Sequence, residues 1–382
     1  MSTPGFADVL RPGCRVAIAD GVGSPASTFE ALSRAAAAVG GVNLVLGWMP
    51  APVDGLDLAV FASVRTLMGG YALRAPIDRG EVQYTVVRLG ASPAVLHGAL
   101  LPDVLVASVA RRADGYRLLT EVAWMRAAID AGALVAGVER PGAPALDVGP
   151  PIDSSRIVMM GSSMAPPVTV EWGTCSPVHA EIAQRVAPWI PAGSRLQYGP
   201  GAVGSAVVHA LEVPVAIDTG IVTDAVMDLD HRGLSLGRPL APYVAGGPDF
   251  YQWCQGRVDV DRIERTHDPS RLSATPPLVA VNTALQVDLD GQVNVEAVGG
   301  SAVAGIGGQP DYAAAAARSV GGLSVVALAT TQGGHPTLVE RLSAPTTTPS
   351  HDVDVLATES GVADLRGLDR AERRRAIAAL WA

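Results

Sequence analysis

The chain contains no lysine; every one of its 28 basic side chains is arginine. A Schiff-base lysine and a phosphate-loop lysine are therefore excluded as sources of its chemistry. Cysteine is scarce as well: Cys14, Cys175 and Cys254 are odd in number and far apart, with no spacing that suggests a zinc site or a disulfide framework. A reducing, cytoplasmic setting without a metal is the expectation that follows. Aromatic residues make up only 4% of the chain, so its cores must be assembled from Ala, Val, Leu and Ile. Positive charge is in deficit, with a formal net charge of -9, which argues against a nucleic-acid surface. No apolar run approaches the ~18 residues of a spanning helix. The opening "MSTPGFADVL" also lacks the basic-then-apolar pattern of a signal peptide. Neither nucleic acid nor a membrane is expected as a partner.

What is present is a chain of 382 residues, 48% hydrophobic and 17% charged, a length that suits two domains. Short β-branched runs alternate with helical patterns: "RVAIAD", then "PASTFEALSRAAAAV", then "NLVLGW", "LAVFASV" and "EVQYTVV". "PDVLVASVA" precedes the helix-like "LTEVAWMRAAIDAG", followed by "LVAGVE". The stretch from Pro141 to Pro167, rich in Pro, Gly and Ser, reads as irregular connection. A second unit opens with "PVHAEIAQRVAPWI" and repeats the strand, glycine loop and helix theme in "RLQYGPGAVGSAVVHAL". The pattern predicts an α/β fold of two similar halves, residues 1–174 and 175–382, each a largely parallel sheet flanked by helices.

Three glycine clusters stand where such sheets bind ligands: "DGVGSP", "YGPGAVG" and "GIGGQPD". Each can cradle a phosphate or an oxyanion with backbone N–H groups, or can simply be a tight turn. The spacing of "GPGAVG" matches the dinucleotide fingerprint, but no convincing acidic partner follows it. There is no G-x-S-x-G elbow, and none of the seven histidines pairs at the i, i+4 spacing of a helix-borne metal site.

The run "LVAVNTALQVDLDGQVNVEAVGGSAVAGIGGQPDYAAAAARSVGGLSVVALATT" and the later "DVDVLATESGVADLRG" closely resemble the acetyl-CoA hydrolase/transferase family, which includes 4-hydroxybutyrate, butyrate and succinate CoA-transferases. The resemblance extends back through "IDTGIVTDAVMDL" and "LQYGPGAVGSAVVHAL", and more faintly into the first half. It implies two domains of the CoA-transferase fold with the active site at their interface, and coenzyme A, as acyl-CoA, for substrate. A carboxylate or other acyl acceptor is the second implied partner, and assembly with further copies of the chain stays open. By the same resemblance Gly307, Gly308 and Gln309 line the thioester, Gln197, Gly199 and Gly201 lie in the neighbouring loop, and Gly21 and Gly23 contribute from the first domain.

Two departures from the family pattern matter more than the matches. The family's nucleophile lies in a segment resembling H-S-E-M-x-S-D-G-V-V-D-L, and laying this on "DTGIVTDAVMDL" puts the glutamate position at Gly220. In "ERTHDP", where relatives tend to carry an asparagine, this chain has His267. These departures lead to an expected enzyme that hydrolyses or transfers an acyl group without a glutamyl-CoA intermediate, His267 acting as general base near neutral pH. Asp218, two residues before Gly220 on the same strand face, is the candidate replacement nucleophile of a conventional transferase. A catalytically silent CoA-binding homologue is the third reading. The segment "DGYRLLTE", Asp114 to Glu121, also departs from the family's H-G-Y-x-S-L-G.

Overall fold

The computed structural model describes residues 4–382. It forms two compact units, one built from the chain up to residue 170 together with 242–264, the other from 171–241 and 265–382. Residues 242–264 thus pack with the first unit, although they follow the expected boundary at 174/175 in sequence.

The first unit is organised by a sheet of strands β1 (Arg15–Ile18), β2 (Asn43–Leu46), β3 (Ser63–Thr66), β4 (Gln83–Tyr84), β5 (Val104–Arg112), β6 (Gly115–Arg117), β7 (Leu134–Glu139) and β8 (Ile157–Ser162). Their spatial order is β4-β3-β2-β1-β5-β7-β8, with β6 hairpinned onto β5. Every neighbouring pair along that path is parallel, Val16 lying opposite Leu44 on one side and Val104 on the other. Such strands are covered on both faces, which explains their unbroken apolar runs. One covering element is helix α1 (Phe29–Val39), whose Phe29, Leu32 and Ala36 fall three and four residues apart and are all buried.

The second unit repeats the plan. Its sheet runs in spatial order Ala216–Ile217, Arg195–Tyr198, Leu278–Asn282, Leu323–Ala327, Val355–Ala357 and Val362–Asp364. All pairs are parallel except the last. The expected α/β architecture of two similar, largely parallel sheets is therefore the one found. In each sheet the strand order reverses once, between β1 and β5 in the first unit and between Arg195–Tyr198 and Leu278–Asn282 in the second. Crevices beyond the carboxyl ends of strands at such a reversal are where open α/β sheets bind ligands.

Two local expectations are corrected. The stretch from Pro141 to Pro167 contains β8, a half-buried edge strand whose short apolar run is hidden among Ser, Gly and Pro. The helix expected over "LTEVAWMRAAIDAG" starts only at Met125, and Ala123 before it has φ 38°. The residues ahead of it are instead drawn into the buried site described next. Among the described residues no helix is long and apolar enough to cross a membrane.

Candidate functional site

In the second unit, three charged side chains define how the site is held. Asp218, just past the end of Ala216–Ile217, is gripped by Arg271, whose two terminal nitrogens reach Oδ2 at 2.6 Å and Oδ1 at 2.9 Å. Arg195, on the neighbouring strand, adds a bond to Oδ2 at 3.1 Å. Arg195 also donates to the carbonyls of Leu272, Ala274 and Pro276, and Arg271 to those of Arg265 and Thr266. Two guanidinium forks thereby bind the whole 265–276 segment to the sheet around one buried carboxylate. Both oxygens of Asp218 are thus engaged by guanidinium groups.

That segment carries His267. Its ring is buried, meets the Tyr312 ring edge-on at a centroid separation of 4.8 Å, and shares a hydrogen bond of 3.0 Å between Nδ1 and Thr266 Oγ1. Nε2 has no hydrogen-bond partner among the described residues. Burial, reinforced by the Arg271 charge, pushes the imidazole pKa down to about 3, so the ring is neutral throughout the physiological range. This differs from the near-neutral titration expected of an unperturbed histidine. Nε2 presses against Gly308, where a Cβ would overlap it. Gly308 precedes the helix Gln309–Arg318, which also supplies Tyr312.

Gly220 approaches the same Tyr312 ring. It sits at a bend between Ala216–Ile217 and Ile221–Val222, braced on both sides by Tyr198: Thr219 Oγ1 donates to the Tyr198 carbonyl, and the Thr223 N–H donates to the Tyr198 hydroxyl. A Cβ at Gly220 would meet only Tyr312 Cε2, at an ordinary 3.8 Å. Neither space nor backbone conformation demands glycine there. Residues 220, 267 and 308 thus converge on one edge of Tyr312.

The glycine loop of "YGPGAVG" lies at the strand reversal. Gly199, Gly201 and the first turn of the helix Ala202–Ala210 line a cavity of about 220 Å³ with Asn282 and Thr283. Gly204 is the close-packing glycine: a Cβ would run into the Gly199 carbonyl. Gln197 does not face an open space. Its amide exchanges two hydrogen bonds with the Asn282 amide, at 3.0 and 2.9 Å, and so cross-links the two central strands. A second cavity of about 300 Å³ is lined by Gln309, Ala304, Thr283 and Gln332, and Gln309 Nε2 is buried without a hydrogen-bond partner among the described residues. His179 lines both cavities. Its Nδ1 accepts from the Ser176 N–H, which places any proton of the neutral ring on Nε2. Gly307, with φ 63°, turns the chain between this cavity and Gly308.

The first unit holds a second buried cluster that the sequence did not announce. Asp20, just beyond β1, accepts at Oδ2 from the Trp48 N–H (2.8 Å), Trp124 Nε1 (2.9 Å) and the Tyr243 hydroxyl (3.1 Å). Its Oδ1 is buried without a hydrogen-bond partner among the described residues. Glu121 lies against Gly21 and Gly23, filling the space where their side chains would be, and is bonded by Thr120 Oγ1 and the Gly23 N–H. The carboxyl group of Glu121 thus packs directly on the backbone of Gly21 and Gly23, the two glycines that the resemblance implied for the CoA site. Burial raises Asp20 to about 6 despite its three donors. Glu121 is raised to about 8, chiefly by burial, with the Asp20 charge adding to the rise and the Arg140 charge opposing it. At neutral pH Glu121 is mostly a neutral acid beside a mostly ionised Asp20. The one legible trace of Glu121 was the departure at "DGYRLLTE"; Asp20, Tyr312 and the two arginines gave no signal apart from their neighbours. Among the described residues no group of three or more His, Cys, Asp or Glu side chains is placed to hold a metal ion.

Together the two sheets and their glycine loops have the CoA-transferase fold. The structure matches RipA from Yersinia pestis with a TM-score of 0.89 at 21% identity, over 100% of this chain and 94% of that one. It matches a 4-hydroxybutyrate CoA-transferase from Porphyromonas gingivalis with a TM-score of 0.78 at 23% identity, over 99% and 92% of the two chains. Residues 246–381 match the acetyl-CoA hydrolase/transferase C-terminal domain. In sequence it is 30% identical over 216 residues to the 4-hydroxybutyrate coenzyme A transferase of Clostridium kluyveri, covering 52% of this chain and 50% of the relative. The chain spans about half the length of the curated relatives it matches.

Asp218→Asn leaves two buried guanidinium groups without their counter-charge and is expected to destabilise the protein by about 3–5 kcal/mol, measured by urea unfolding. Glu121 makes a separate, pH-dependent contribution. Because its folded pKa lies above the ordinary 4.5, its contribution to stability is complete below that value and is lost as pH rises toward about 8. Glu121→Gln should therefore unfold with wild type at pH 4 and at a higher midpoint than wild type at pH 8, by at least ~3 °C.

Proposed function

We propose that this protein cleaves acyl-CoA thioesters, delivering the acyl group to water or to another acceptor without forming a glutamyl-CoA intermediate. The match of residues 246–381 to the acetyl-CoA hydrolase/transferase C-terminal domain and the CoA-transferase fold support the thioester substrate. The observation that carries the mechanism is the arrangement at Tyr312: a buried imidazole with an unpartnered Nε2 beside a glycine position that has room for a side chain and carries none.

In this reading the nucleophile occupies the space beside Gly220 and hydrogen-bonds to His267 Nε2. With Nδ1–H donating to Thr266 Oγ1, Nε2 presents its lone pair to a water or an acceptor hydroxyl. A neutral ring with a low proton affinity orients that nucleophile and does not store its proton for long. For hydrolysis, the water oxygen bonds to the thioester carbon, the carbon–sulfur bond breaks, and the water proton passes to the departing CoA thiolate. Backbone N–H groups of the 305–308 loop and the amide of Gln309 would stabilise the oxyanion formed on the way. The loop at Gly199 and Gly201 would hold part of the CoA moiety. A conventional transferase using Asp218 is disfavoured by the ion pairs that occupy both its oxygens.

The test is a panel of acyl-CoAs assayed for free CoA with and without carboxylate acceptors. Turnover with no enzyme thioester trapped by borohydride is the expected result, and His267→Ala should lower the rate about a hundredfold. A trapped thioester in the wild-type enzyme, or acyl-CoA binding with no turnover across the panel, would overturn the reading. Gly220→Glu supplies the complementary experiment. Its side chain meets no steric obstacle at Cβ, and the variant is expected to fold, to form a trappable thioester and to gain acceptor-dependent CoA transfer.

A further inference from the structure

Glu121 belongs to no step of the proposed reaction, yet it holds the glycine loop that follows β1. Residues 20–24 have few other ties: the Gly21 N–H donates to the Trp48 carbonyl at 2.8 Å, and the Val22 carbonyl accepts from the Val168 N–H at 2.8 Å. Against this backbone lies the Glu121 carboxyl group, 3.1 Å from the point where a Cβ of Gly21 would stand and overlapping that of Gly23. Its donors are Thr120 Oγ1 and the Gly23 N–H, the latter at a long 3.4 Å. A clamp of this kind suits an uncharged acid and houses a carboxylate poorly.

Three titratable groups act on Glu121 or are acted on by it. Asp20, on the loop itself, repels an ionised Glu121. Tyr243, from the 242–264 segment, keeps its proton, because burial, Asp20 and Glu121 all hold its hydroxyl well above the usual tyrosine range. Arg140, just past β7, attracts a carboxylate at Glu121. Its guanidinium is spent only on Ser108 Oγ at 3.4 Å and the Pro166 carbonyl at 3.0 Å, and no carboxylate pairs with it among the described residues. The residue is only 5% exposed, so a carboxylate that reached its remaining N–H donors would relieve a buried, uncompensated cation.

We propose that Glu121 is a two-position switch: as an uncharged acid it clamps the 20–24 loop through Gly21 and Gly23, and as a carboxylate it leaves the glycine backbone for the Arg140 guanidinium and frees the loop. The only covalent change is loss of the Glu121 proton to solvent. A held carboxyl group titrates at about 8 and a released one at the ordinary 4.5 or below, so the held state carries one more proton between those values. The opening equilibrium therefore rises about tenfold per pH unit until about pH 8. That the loop serves acyl-CoA rests on the function proposed above; its release does not.

Hydrogen–deuterium exchange of the full chain, read on peptides spanning 20–24, tests the switch against two reference variants at each pH. Glu121→Gln keeps an uncharged group in place and stays held, whereas Glu121→Ala has no clamp and stays released. Relative to Glu121→Gln, wild-type exchange should climb about tenfold per unit from about pH 6 to about 8, towards the Glu121→Ala level. Arg140→Met, which removes the second position, should lower that climb at least about tenfold. If Glu121→Gln does not fold, approach of the wild type to the Glu121→Ala level with rising pH decides the matter. A wild-type loop that exchanges like Glu121→Gln at every pH, a Glu121→Gln loop that follows the wild-type climb, or an Arg140→Met chain that climbs as the wild type does would each overturn the switch. A released loop with no acyl-CoA turnover leaves the switch standing and overturns the proposed function; turnover with a loop indifferent to Glu121 does the reverse.

Discussion

Asp218 held between Arg195 and Arg271 is the interaction on which the second unit's site depends. A carboxylate buried alone would be expelled or protonated, and an arginine buried alone is equally unfavourable. Together they compensate one another, and the spare donors of both arginines take up backbone carbonyls from 265 to 276. The segment bearing His267 is thereby set against the sheet, with Leu272 buried in one apolar cluster with Tyr312, Ala315 and Ala316. Such a triad contributes less to net stability than to geometry. Here the geometry is what brings an imidazole onto the edge of Tyr312.

Close approach of side chains to glycine backbone is the second theme, and it recurs in both units. His267 lies over Gly308, Glu121 over Gly21 and Gly23, and Asp20 over Gly47, in each case in the space that a Cβ would fill. Glycine at these points acts through what is packed against it as much as through its backbone freedom. The consequence is electrostatic. Polar groups pressed onto backbone and shielded from water lose the hydration that sets their ordinary pKa values, which is why His267 moves down while Asp20 and Glu121 move up.

Much of the architecture was legible without coordinates. Apolar β-branched runs such as "RVAI" and "LVAV" can be satisfied only as strands covered on both faces, and the glycine clusters between strand and helix mark the carboxyl ends where sites form. Elements that trade pattern for function were the ones misread. The run from Leu119 has helical periodicity, yet Glu121 and Trp124 are used by the Asp20 cluster, and the helix begins only after them. The strand β8 lay concealed because an edge strand with half-buried residues lacks the continuous apolar signature of its neighbours.

By itself, the sequence determined the fold class, because periodicity is a local property of a chain, and its motifs carried the resemblance to the acetyl-CoA hydrolase/transferase family and the departure from that pattern at Gly220. It could not determine the state of any ionisable group. Asp218 read as a strand-end polar residue or a candidate nucleophile, and only the packing of residues 53 and 23 positions away shows its ion pairs. His267 read as a base near neutral pH, and only its enclosure beside Tyr312 and Arg271 made it a neutral ring. Glu121, Asp20 and Arg140 were unremarkable letters until folding removed their water. Desolvation and pairing are set by everything that surrounds a group in three dimensions, and those neighbours come from distant parts of the chain.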